Sequence, residues 1–108
     1  MIEQWKWVVG YEGLYRVSNL GRIMRVKQGG WKAKLLRMKA RDTNGRLGVA
    51  LRKDGVARTE YVDRIVLAAW VGQIPMGQTV LHAGGIADNT VENLSYGGRT
   101  CKRRKEEG

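Results

Sequence analysis

Val80-Leu81-His82-Ala83-Gly84-Gly85-Ile86-Ala87-Asp88-Asn89-Thr90-Val91-Glu92-Asn93-Leu94 carries the only histidine of the chain. Val80 and Leu81 suit the end of a strand, and Gly84-Gly85 breaks it. Asn89 can cap a helix, with Glu92 three residues later as in a capping box. The stretch reads as strand, tight loop and short helix, which sets His82 beside Asn93. An imidazole serves as a base when one nitrogen is held and the other is left to take a proton, and an amide or carbonyl can do the holding. The same residues also suit a plain turn, because a lone histidine near glycine is commonly structural and Asp, Asn and Gly gather at turns. Within this stretch both readings stay open.

Composition narrows the choice. A chain of 108 residues forms one domain or two small modules sharing a core. There is no Phe, so four Trp and four Tyr supply the bulky packing. Twenty Lys and Arg against ten Asp and Glu give +10 at pH 7, which points to a polyanionic partner, most simply nucleic acid. An anionic membrane surface would need a long basic amphipathic helix, and none is evident. Cys101 is the single cysteine, so an internal disulfide or a four-ligand zinc site is excluded and a reducing compartment fits. The start, Met1-Ile2-Glu3-Gln4-Trp5-Lys6, is unlike a signal peptide, and no apolar run approaches membrane-spanning length. A soluble protein of the cytoplasm is expected.

Outward from the histidine, the chain reads as α+β. Trp5, Trp7 and Val9 alternate with other residues as a strand does. Leu14 to Val17 and Arg22 to Val26 follow as strands across glycine turns. From Arg22 to Arg58 there are twelve basic residues and two acidic ones. Arg22, Arg25, Lys27, Lys32 and Lys34 surround Trp31 at an expected loop tip, a mixture suited to phosphate contact with stacking or groove insertion. Leu47, Val49 and Leu51 then alternate, Asp54-Gly55 supplies a type I′ turn, and Val56 to Val62 returns. Arg46, Arg52, Lys53 and Arg58 should crowd one face or end of this hairpin, which a DNA groove could accept. Asp63 is expected to cap a helix over 64–71 whose Ile65, Val66, Ala68, Ala69 and Trp70 are mainly core. The tail, with Arg103 and Arg104, adds possible phosphate contacts.

Gly10-Tyr11-Glu12-Gly13-Leu14-Tyr15-Arg16-Val17-Ser18-Asn19-Leu20-Gly21-Arg22-Ile23, preceded by Trp5-Lys6, resembles the N-terminal modular DNA-binding segment of phage and bacterial HNH homing endonucleases. The order of the later pieces is similar too. They are the hairpin ending Tyr61-Val62, the helix Arg64 to Trp70, the strand ending at His82, and Val91-Glu92-Asn93-Leu94-Ser95-Tyr96. The pattern looks most like the actinobacterial-phage type. The resemblance implies a nuclease-associated DNA-binding segment with basic linker over 1–45 and an HNH-like ββα-metal unit over 46–108. It implies His82 as the base that activates water and Asn93 as the residue holding its ring. A divalent Mg²⁺ or Mn²⁺ would sit at the scissile phosphate of double-stranded DNA, with no zinc. A phage gene product in a bacterial host, or a bacterial cytoplasmic protein, fits that resemblance.

Leu81 stands where many members carry a metal-binding Asp, Lys102 where many carry Asn or His, and Asp63 where members usually carry His. Asp88 and Asp63 are the acids left to serve as ligands. Two function classes therefore follow from the resemblance: a metal-dependent DNA endonuclease or nickase, and a catalytically impaired descendant that binds DNA. A basic accessory protein that binds RNA or another acidic partner is a third.

Overall fold

The computed structural model describes residues 2–26, 33–40, 45–85 and 88–98. It is a mixed α and β fold. The N-terminal part is an antiparallel meander of β1 (Trp5–Trp7), β2 (Tyr15–Ser18), β3 (Ile23–Arg25) and β4 (Lys34–Leu35), adjacent in that order. A second sheet holds β5 (Lys39–Ala40), β6 (Leu47–Lys53) and β7 (Val56–Tyr61). The helix α1 (Val62–Trp70) follows β7 without a break, and β8 (Gln78–His82) pairs with β9 (Leu94–Gly98).

The hairpin β6–β7 forms as its alternation requires. Val49 and Leu51 are buried while Ala50 and Arg52 are exposed. Asp54 (φ 53°) and Gly55 (φ 79°) both take the left-handed conformation that a type I′ turn demands. α1 then lays Val62, Ile65, Val66 and Leu67 against Val17, Ile23, Val49 and Leu51 in one core, which also receives Val8, Tyr15 and Leu94. That core draws on residues from both sides of position 45. The buried Tyr15 hydroxyl accepts the Arg52 amide at 2.9 Å, tying β2 to β6. Lys6 Nζ lies 4.6 Å from the centre of the Trp70 ring, tying β1 to α1.

Several expectations change. α1 starts at Val62, its N-cap position is Tyr61 and no side chain caps it. Asp63 lies in the first turn and points inward, because its carboxylate is taken by partners described below. No helix of useful length follows Asn89. Val91–Asn93 form a single 3₁₀ turn with Thr90 at its cap position and no side-chain cap bond. The chain then extends into β9, because Leu94 is buried and pairs with His82 while the exposed Ser95 pairs with Leu81. From α1 onward the described residues are thus helix, strand, 3₁₀ turn and strand. Any helix completing a ββα unit would lie beyond Gly98, outside the described residues. The basic stretch expected as a loop contributes two short strands, β4 and β5.

The meander is also held to the loop between β8 and β9. Asn19 O accepts the Val91 amide at 2.8 Å, and Gly21 packs against the Asn89 backbone. Gly21 has φ +87°, and a Cβ there would lie 2.7 Å from Asn89 O. Side chains avoid that conformation, and this neighbour is backbone that cannot move aside. Gly21→Ala is expected to lower stability by about 2 kcal/mol or more, read as a fall in the urea midpoint. An unchanged midpoint would show that the loop does not bear on Gly21.

Candidate active site

The register of the β6–β7 hairpin builds this site. Gly48 pairs with Tyr61. Continued two residues further, the same register brings Arg46 opposite Asp63. Arg46 Nε donates to Asp63 Oδ2 at 2.6 Å and Nη2 to Oδ1 at 2.8 Å, a bidentate charge-assisted pair. The Arg46 guanidinium also lies 3.7 Å from the centre of the Tyr61 ring. At the end of β8, His82 Nε2 lies 2.9 Å from Asp63 Oδ2. The Asp63 side chain has no exposure to solvent, that of His82 is 7% exposed and that of Arg46 is 21% exposed. Burial by itself raises the Asp63 pKa, but hydrogen bonds from Arg46 and His82 outweigh it and hold the carboxyl below the ordinary carboxylate value.

Asp63 therefore holds the His82 ring, and Asn93 does not. Asn93 instead braces the loop after β8. Its Oδ1 accepts the Gly84 amide at 2.6 Å, and its Nδ2 donates to Gly85 O at 3.2 Å and Asp88 O at 2.8 Å. A short amide in a glycine loop reaches backbone groups before it can reach the ring, so the expected pairing fails on local geometry. Asp88 closes a local turn, with Oδ1 accepting from the Thr90 amide at 3.1 Å and its hydroxyl at 2.9 Å. The Thr90 amide and then its hydroxyl hold the Asp88 carboxyl below its ordinary value.

These bonds decide how the residues suit a divalent ion. Asp63 Oδ2 accepts from both Arg46 and His82 and Oδ1 accepts from Arg46, so the carboxylate is held mainly by side chains. The Asn93 carbonyl oxygen is occupied by Gly84. Leu81 is exposed beside His82 and offers no donor. Among the described residues, no group of three His, Cys, Asp or Glu side chains could hold an ion. Asp88 remains as a single acid, and the described residues do not by themselves fit a divalent metal site. Lys102 lies outside the described residues.

Residues 3–52 match the NUMOD4 motif. The DNA endonuclease I-HmuI of Bacillus phage SP01 is 34% identical to the chain over 94 residues, which is 86% of this chain and 51% of that protein. A solved structure described as DNA binding and cleavage by the HNH homing endonuclease I-HmuI is similar with a TM-score of 0.78 at 30% identity. That likeness covers 91% of this chain and 54% of the other. The chain spans about half the length of the relatives it matches.

The NUMOD4 match runs from β1 into β6 and includes most of the residues expected to meet DNA. Their surroundings divide them. Arg22 is exposed but forms a two-point pair with Glu3, through Nε at 2.8 Å and through Nη2. Its charge is therefore locally matched, as is that of Arg46, which is consumed by Asp63. Arg25 and Lys34 face each other across β3 and β4, with the buried Tyr15 on the same side of Arg25. Arg52 and Ala57 pair on one face of the hairpin, whereas Leu51 and Arg58 share the other with Lys53 and Val56. Arg52, Lys53 and Arg58 thus lie toward the turn end of the hairpin but divide between its two faces. Arg25 and Arg52 border one concavity with Leu14 and Val26, and Lys53 and Arg58 border another with Gly10 and Tyr11. Lys53 Nζ also donates to Gly10 O at 2.8 Å. Lys27, Trp31, Lys32, Arg103 and Arg104 lie outside the described residues.

Removing one member of a buried charged pair leaves its partner unmatched, which costs about 3 to 5 kcal/mol. Asp63→Ala should cost at the lower end, about 3 kcal/mol, because Arg46 keeps some access to water. The pH dependence has a definite sign. A carboxylate whose folded-state pKa is depressed adds stability above the unfolded value and loses it as pH falls through the folded one. Wild type should therefore lose stability as pH falls below the ordinary carboxylate value of 3.8. Asp63→Asn should show a shallower fall over that range, and parallel curves in acid urea titrations would sink this expectation.

Proposed function

We propose that the chain binds double-stranded DNA and is an HNH-type DNA endonuclease or nickase in which His82 is the base. The observation that supports this most is the His82–Asp63 contact at the end of β8. It occurs in a chain similar over 91% of its length to a structure of a DNA-cleaving HNH homing endonuclease. A neutral His82 takes a proton from the water that attacks the scissile phosphorus, and the Asp63 carboxylate stabilises the imidazolium that results. A divalent ion such as Mg²⁺ or Mn²⁺ would stabilise charge at the phosphate when bound. The described residues supply Asp88 alone toward it.

DNA binding is assigned to the face carrying Arg25, Lys34 and Arg52. Arg25 and Lys34 are direct cross-strand partners, and Arg25 borders the same concavity as Arg52, so basic side chains from both sheets adjoin there. Arg58 and Lys53 lie on the other face of the hairpin and belong to a separate contact. Exposed Leu81 favours a second reading, a DNA-binding protein of the same descent that does not cut.

Supercoiled plasmid incubated with a panel of divalent metals separates the two. The endonuclease reading expects nicking that His82→Ala lowers by at least about 10²-fold. Equal inertness of wild type and His82→Ala across the panel would overturn it in favour of binding alone. Both readings expect duplex affinity to fall steeply with salt, and the joint substitution Arg25→Gln with Lys34→Gln should flatten that slope by about two phosphate contacts. A slope unchanged by the substitutions would remove this face from the DNA contact.

A further inference from the structure

Proton positions in the buried trio follow from its geometry. A carboxyl group shut away from water alone would keep its proton. Arg46 prevents this at Asp63, because Nε and Nη2 address both oxygens at 2.6 and 2.8 Å. An arginine has only donors and does not give up its charge in proteins, and an ionised carboxylate only accepts. The ring nitrogen 2.9 Å from Asp63 Oδ2 must then be the donor, so Nε2 carries the hydrogen. In the neutral ring, the lone pair is left on Nδ1.

A second observation concerns that other nitrogen. His82 Nδ1 is buried and has no hydrogen-bond partner in the protein. Buried polar atoms are paired almost without exception, and leaving one bare costs about 1–3 kcal/mol. An unpaired acceptor on a ring whose other nitrogen is held is the pattern of an atom kept for a water molecule or a transferred proton. A third observation is that Arg46 is itself fixed. The hairpin register delivers it opposite Asp63, and the Tyr61 ring backs its guanidinium at 3.7 Å. Arg46, just before β6, and Asp63, just after β7, are thus paired without any contribution from β8.

We propose that Asp63, charge-paired with Arg46, is a positioning residue that fixes His82 as the tautomer with Nε2 protonated and Nδ1 free to accept a proton. Asp63 acts through the ring and touches no reacting atom. The catalytic consequence rests on the reading of His82 as the base. The tautomer does not, since it belongs to the folded chain with or without DNA cleavage.

The single histidine makes the test direct, because a ¹⁵N-labelled chain shows one ring spin system. Long-range proton–nitrogen correlation spectra of the wild-type chain, at a pH where the ring is neutral, should show Nδ1 at the shift of an unprotonated nitrogen and Nε2 at that of a protonated one. Asp63→Asn should move the two nitrogen shifts toward each other, since an amide can offer either a donor or an acceptor to the ring. A wild-type ring protonated on Nδ1, or evenly mixed, overturns the proposal even if the variant does not fold. A folded Asp63→Asn protein with the wild-type pattern overturns it as well. The plasmid assay then separates this claim from the proposed activity. Where wild type nicks, Asp63→Asn should slow nicking at least about tenfold with duplex affinity unchanged. Where wild type shows the Nε2–H tautomer and does not nick, the positioning proposal is supported and the endonuclease reading fails.

Discussion

A carboxylate with no access to water sits between an arginine and the single histidine of the chain, and three elements are arranged so that it stays paired. Taking Asp63 out of water is expensive, and only close, well-directed partners offset the loss. The hairpin supplies one partner through Arg46, α1 supplies the carboxylate itself, and β8 supplies the other through His82. Removing the carboxylate takes a partner from both Arg46 and His82. This explains why an aspartate at the start of a helix turns inward instead of capping it: a cap bond satisfies one backbone amide, whereas here two side chains converge on the same group.

The same pairing changes what the net charge of the chain means. A formal +10 suggests a surface uniformly ready for phosphate. Arg46 is committed to Asp63, and Arg22 is matched by Glu3. Hairpin alternation sends Arg52 to one side and Lys53 with Arg58 to the other. Basic residues that look equivalent along the chain are thus divided between structural pairing and two separate surfaces. Charge sets the strength of attraction to a polyanion, while strand register sets where the attraction can be used.

The meander that matches the NUMOD4 motif is not independent of the histidine region. Its residues share a core with α1, and its turn at Asn19–Gly21 holds the loop between β8 and β9 from outside. Within that loop, Asn93 and Asp88 spend their polar atoms on backbone and on Thr90. Bonds of this kind are also why the oxygen atoms of Asn93 and Asp88 do not gather around a common point.

Much of this was legible from the residues. Alternation and Asp54-Gly55 determined the hairpin and its register, apolar spacing determined α1, and the Gly10 to Ile23 stretch pointed to the homing endonucleases with which the chain shares sequence and fold. The ladder ends at Gly48 and Tyr61, so the meeting of Arg46 with Asp63 in the first turn of α1 depends on how the helix leaves the hairpin. The sequence misled where local signals were weak. Asn89 with Glu92 imitates a helix start, but the burial of Leu94 and its pairing with His82 favour a strand. The partner of His82 was beyond local reasoning altogether. Asp63 lies nineteen residues before it, and only the packing of β8 and β9 against α1 brings the two together. Local chemistry determined which elements form, because propensity and alternation act over a few residues. Tertiary structure decided which polar groups meet, because a buried charge takes whatever partner the packed core brings to it.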